Sequence, residues 1–288
     1  RLKLEVQSSV WLAEAAALAG YAGAVRGEAA VTGEIAYSEA AGFQLEGQIK
    51  GEGLAANAGG VELKDVRLSS GLRMTPGAVE LPDLRLGVLG GEVSGSAKIE
   101  RGRALHAAAD VRGFRVSDLA ALRRLAAPPW AGLISGPVVL DAAITSGRLR
   151  DTELSAKLTV EPDGGPRPLS GFLDVSLSQR RGSVQFADSH LAAGSTRVEL
   201  NGALQERLHV QLATRDLAEL VPLGAWLGRE FPKEVPVTLR RGEARFTGEL
   251  TGALDSPRVS GQASLTNVVY QGHVFERMAG HYCMWQSD

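Results

Sequence analysis

The chain has 288 residues, 44% hydrophobic and 22% charged, with a formal net charge of −2. That is enough chain for one large β domain or two smaller ones, and the charge balance provides no basic field for nucleic acid or an anionic membrane. Glycine is the outlier at 35 residues, about 12% against a usual ~7%, without collagen period or low-complexity runs, so it marks turns, bulges and close backbone approach.

In chain order, Ser8–Gly23, "SSVWLAEAAALAGYAG", places Trp11, Ala15, Leu18 and Ala19 at helical spacing. From there the rhythm is β. "VELKDVRL" alternates Val61, Leu63, Val66 and Leu68, with a phase slip near Asp65 that suggests a bulge. "LGGEVSGSAKIERG" puts Val93, Gly95, Ala97 and Ile99 on one side and Glu92, Ser94, Ser96 and Lys98 on the other. "VSDLAALRRLAAPPW" is a short helix, with Ser117 as candidate N-cap, Leu119, Leu122 and Leu125 on one face, and Pro128–Pro129 as the stop. Alternation resumes through Leu154, Ala156, Leu158 and Val160, then through Leu208, Val210 and Leu212. Asp216 caps another short helix that Pro222 interrupts, giving a strand followed by "DL-A-L" twice, 98 residues apart (Asp118 to Asp216). The last segments set Ala244, Phe246, Gly248 and Leu250, then Val259, Gly261, Ala263 and Leu265, opposite polar residues. Turn signals at Pro162–Pro168, Gln179–Gly182 and Leu254–Arg258 separate the strands. So many alternating segments predict a mostly β, antiparallel architecture with one wet face.

Catalytic and metal signals are absent from this pattern. His106, His190, His209, His273 and His281 are scattered without metal-ligand spacing, and Cys283 has no evident base beside it. Acidic pairs such as Glu243 and Glu249 read as solvated strand faces, and no glycine-rich stretch has phosphate-loop order. Arg123–Arg124, Arg180–Arg181 and Arg240–Arg241 stand without aromatic neighbours, which disfavours nucleic acid. No enzyme site and no cofactor is expected. No apolar run reaches the roughly 18 residues of a membrane span.

The dry strand faces admit two accounts. They pack together as a β-sandwich, or one sheet curls and leaves an apolar trough lined by small and aliphatic side chains. A transmembrane barrel is a third option, weakened by the 5% aromatic content.

Two pairs of segments bear a family pattern. "LPDLRLGVLGGEVSGSAKIERG" (Leu81–Gly102), followed by "LHAAADVRGFRVSDLAAL" (Leu105–Leu122), resembles the AsmA-like envelope proteins. "VELNGALQERLHVQLATRDLAELVPL" (Val198–Leu223) and "FTGELTGALDSPRVSGQASLTNVVYQGHVFERMAG" (Phe246–Gly280) are similar to the TamB branch, whose spaced pattern falls on Gly248, Gly252, Pro257, Gly261, Leu265 and Asn267. The final "HYCMWQSD" departs from it.

The resemblance implies an elongated, curled antiparallel sheet with an apolar groove, in segments 1–127 and 128–288 of a longer chain. It further implies a periplasmic location, with inner-membrane anchoring through an N-terminal segment outside this sequence. The expected function is non-enzymatic carriage of phospholipids between inner and outer membrane, with acyl chains as the partner. The expected groove lining is Val93, Ile99, Leu154, Leu158, Val160, Leu208, Val210, Leu212, Phe246, Leu250, Val259 and Leu265. One alternative is a scaffold for translocation and assembly of outer-membrane or autotransporter proteins by β-augmentation, with an outer-membrane assembly protein as partner. The other is a closed β-sandwich structural module.

Overall fold

The computed structural model describes residues 2–14, 24–39, 42–58, 61–122, 128–145, 148–222, 237–252 and 258–284. Alternating hydrophobicity produces the expected class: among the described residues eighteen strands belong to one open antiparallel sheet, with short helical pieces that include Val116–Leu122 and Leu217–Leu220. The chain divides into two compact units. The first comprises Arg1–Phe114, Ser135–Ser155 and Ser178–Arg180, and the second Arg115–Ile134, Ala156–Leu177 and Arg181–Asp288.

The first unit opens with β1 (Leu2–Trp11), β2 (Ala24–Arg26), β3 (Glu28–Ser38) and β4 (Gly42–Ala58). It continues through β5 (Val61–Thr75), β6 (Ala78–Val88), β7 (Gly91–Glu100) and β8 (Ala104–Arg115). β1 pairs with β3, and β3 to β8 then pair in sequence order. Trp11, expected on a helix, ends β1 and lies opposite Glu28; helical backbone begins only at Leu12, and residues 15–23 lie outside the described residues. Cross-strand pairing with β3 overrides a local helical period, as tertiary context commonly does. The slip near Asp65 is a register irregularity, with Asp65 in the left-handed region (φ 54°) opposite the shift between Leu54 and Ala56. β6 and β7 are joined by Leu89–Gly90, both at positive φ (54° and 72°), the two-residue turn whose twist matches a hairpin.

Beyond β8 come α1 (Val116–Leu122), β9 (Gly132–Thr145), β10 (Arg148–Pro162), β11 (Leu169–Ser178) and β12 (Ser183–Ala193). They are followed by β13 (Thr196–Leu204), β14 (Arg207–Thr214), β15 (Val237–Leu239), β16 (Ala244–Thr251), β17 (Arg258–Tyr270) and β18 (His273–Met284). In the second unit β12 pairs β13, β13 pairs β14, β14 pairs β16, and β16 and β18 flank β17. Ser117 lies inside α1, which starts at Val116, and its hydroxyl is 3.4 Å from Asp118, so it does not act as the cap. Leu125 lies outside the described residues. Asp216 does cap as expected: its side chain accepts from the Ala218 amide at 2.9 Å and starts a 3₁₀ turn at Leu217–Leu220. Residues 223–236 lie outside the described residues.

Candidate apolar binding face

Directly opposed residues of an antiparallel ladder share a face, so the pairings convert alternation along strands into rows across them. In the first unit one row reads Leu4, Ile35, Leu45, Met74, Val79, Ile99, Leu105 over β1 and β3 to β8. A second row reads Val10, Ala29, Gly51, Leu68, Leu86, Val93, Val111. Val93 and Ile99 thus stand in two different rows of one apolar face, and both are half-buried. Leu4 is 54% exposed at the rim, and Tyr37 and Phe43, paired to each other, are also exposed. The Ser70 hydroxyl lies on the same face, opposite Ile49, buried and without a hydrogen-bond partner among the described residues.

The second unit repeats the arrangement. Leu191, Val198, Leu212, Phe246 and Ala263 form one row across β12, β13, β14, β16 and β17. Leu200, Val210, Gly248 and Gly261 form the next, and Gly202, Leu208, Leu250 and Val259 a third. Ala244 opposite Leu265 extends the face. Seven expected lining residues, Leu208, Val210, Leu212, Phe246, Leu250, Val259 and Leu265, therefore come together on one face. Leu208 is buried and the other six are half-buried. On β10, Leu154 falls in the first unit and Leu158 and Val160 in the second; Val160 is buried, with its Cγ1 3.0 Å from where a Cβ on Gly132 would stand.

The glycines on these faces turn out to serve close approach more than spare room. A Cβ at Gly95 would run into the Ala108 carbonyl, and one at Gly47 into the Thr32 carbonyl. Above Gly248 and Gly261 the vacated space is taken by the Phe246 ring, whose Cζ lies 2.6 and 2.8 Å from the two would-be Cβ positions. A larger residue at either position would displace that ring.

At one end of the second unit's face lies a cavity of about 360 Å³. It is lined by Leu169, Leu191, Val198, Val210 and Leu212 of the strands, by Val116 and Ala120 of α1, by Trp130, and by Glu219 and Leu220 of the 3₁₀ turn. Both copies of the "DL-A-L" repeat therefore border one apolar space. Sequence spacing displayed the repeat but held no signal that the two would converge.

Glu219 fastens the 3₁₀ turn to the β12–β13 hairpin. Its carboxylate accepts from the Ser195 amide at 3.0 Å, the Ser195 hydroxyl at 2.9 Å and the Thr196 hydroxyl at 2.6 Å. Partial burial pushes this acid up, but the hydrogen bonds from Thr196 and Ser195 outweigh it and hold the carboxyl below the usual range. Thr214, fully buried, stands 2.9 Å from the Thr196 hydroxyl and accepts from the Asp216 amide at 3.1 Å, tying the cap to the same network.

Among the described residues no group of three His, Cys, Asp or Glu side chains could hold a metal ion, and no helix is long and apolar enough to cross a membrane. His106 lies 2.7 Å from Asp141 on the wet side, both exposed, as a solvated surface pair. The assembled site is one of shape and apolarity, suited to ligands recognised by burial of hydrocarbon. Neither a protein-family model, nor a curated protein, nor a solved structure matches this chain.

Proposed function

We propose that these apolar faces carry the acyl chains of phospholipids, and that the chain is a segment of an AsmA-like, TamB-type envelope protein acting in the periplasm. The observation that carries the reading is the set of aliphatic rows, continuous over seven strands in the first unit and five in the second, whose members are mostly half-buried. A closed sandwich would bury such rows against a second sheet. Here the largest fully buried side chains are Val268, Thr214 and Ser189. Along rows of aliphatic side chains there is no preferred stopping point, because hydrophobic attraction is non-directional, so a chain can move along them.

The reading is tested by expressing the segment in a periplasm and extracting it for native mass spectrometry with lipid analysis. Phospholipid that co-purifies with the wild type and is lost from Val210→Asp supports it. A lipid-free, compact, stable monomer overturns it.

A second reading, strand addition by an unfolded outer-membrane client, draws on β18. That strand pairs with β17 and leaves Val274, Phe275 and Met278 at 55%, 43% and 45% exposure. Cross-linking of clients to β18, with no dependence on Val210, would favour it over lipid carriage.

A further inference from the structure

We propose that the wet face of the first unit carries a binding site for phosphate groups, formed by Lys50, Arg67, Arg85 and Arg112. These four side chains line one concavity of about 590 Å³, together with Glu52 and Glu92. They come from four strands: Lys50 from β4, Arg67 from β5, Arg85 from β6 and Arg112 from β8. Lys50 and Arg85 both flank Ser69, and Arg67 and Arg112 share a row through Gly87 and Glu92. This is the side of the sheet opposite the apolar rows, and the inference stands independently of the acyl-chain reading.

None of the four cations has an ion-pair or hydrogen-bond partner among the described residues. Elsewhere on this face cations are neutralised: Arg73 by Glu46, and Lys98 by Glu80 and Glu100. Two backbone features keep Arg67 unpaired. The pairings Lys50–Ser69 and Gly51–Leu68 would next set Glu52 opposite Arg67, but the register breaks between Gly51 and Leu54 and removes Glu52 from that position. Gly53 takes up the irregularity at φ 60°. On the other side, Gly87 has no side chain, and the Arg67 guanidinium fills that place, its Nε 3.1 Å from a would-be Cβ. The guanidinium therefore lies across the floor of the concavity.

Four cations against two carboxylates leave two surplus positive charges in a protein whose net charge is −2. Like charges set diagonally on neighbouring strands, as Arg67 and Arg85 are, repel unless an anion sits between them. Guanidinium forks match phosphate oxygens two at a time, and a phosphomonoester or diphosphate supplies the two or more negative charges the surplus calls for.

The test is isothermal titration of the 288-residue chain with inorganic pyrophosphate at low salt. One saturable site is expected, weakened about tenfold or more by Arg67→Ala and by Arg112→Ala, the usual cost of a lost charge-assisted hydrogen bond. Lys98→Ala, an already paired cation on the same face, should leave it unchanged. Flotation with phosphatidic acid vesicles against pure phosphatidylcholine vesicles identifies the source. Arg67-dependent capture by phosphatidic acid assigns the phosphate to a lipid headgroup; pyrophosphate binding without capture assigns it to a free anion. Either supports the site. Absence of saturable binding, equal weakening by Lys98→Ala, or citrate binding as tightly as pyrophosphate would overturn it.

Discussion

Val210→Asp places a carboxylate in the wall of the 360 Å³ cavity, between Leu200 and Gly248 on the dry face. Taking a water-sized share of about 30 Å³ for each methylene, the cavity holds on the order of a dozen. At ~0.8 kcal/mol each, a filled cavity contributes roughly 10 kcal/mol before the cost of association, which is itself ~4 kcal/mol or more. An ionised carboxylate facing that hydrocarbon loses hydration worth several kcal/mol when fully buried. Val210 is half-buried, so about 3 kcal/mol is a fair share, or roughly a hundredfold in affinity. Titration with a fluorescent polyene fatty acid, whose quantum yield rises in apolar surroundings, reads this directly. Gln211→Asp on the same strand is the control, because Gln211 is exposed on the other face. If both variants bound the probe like the wild type, with unchanged circular dichroism, the cavity would not be where acyl chains go.

Three further outcomes follow from particular contacts. Glu219→Gln should destabilise the second unit by ~1–2 kcal/mol at pH 7, measured by urea unfolding. Because the folded-state carboxyl lies below its ordinary range, that difference is full above the unfolded pKa of about 4.3 and disappears as pH falls through the folded value. Ser70→Ala should raise stability by ~1 kcal/mol, since it removes a buried hydroxyl without a partner; a drop in the urea midpoint would contradict that assignment. Gly95→Val should lower the melting temperature by several degrees, as its Cβ meets the Ala108 carbonyl, whereas Ser96→Val, exposed on the other face, should not.

Much of this architecture was legible from alternation alone, because a period of two is a local property that pairing converts directly into faces. The bulge at Asp65 was visible as a break in phase, and the Asp216 cap as a residue type before an apolar run. Trp11 opens a helical spacing toward Ala15, yet its backbone is set by the ladder that runs from Ser8–Val31 to Trp11–Glu28, a partner no local spacing shows. Beside the dry-face glycines a carbonyl or the Phe246 ring occupies the vacated room, and only cross-strand distances reveal which. The convergence of two distant "DL-A-L" turns, and of Lys50 with Arg112, is set by which strands neighbour one another. No local pattern encodes that.

The ladders traced residue by residue above join a strand to the next or next-but-one in the chain. Closures between consecutive strands, such as Ala58–Val61 and Tyr270–His273, are short, and the entropy lost in each is recovered within a few residues of chain, whereas Trp11–Glu28 and Thr214–Ala244 close longer loops. Such stretches can zip up hairpin by hairpin in the order they emerge from a ribosome. Their cooperativity then resembles that of a repeat array, where a lesion in one strand weakens its neighbours first and distant strands little.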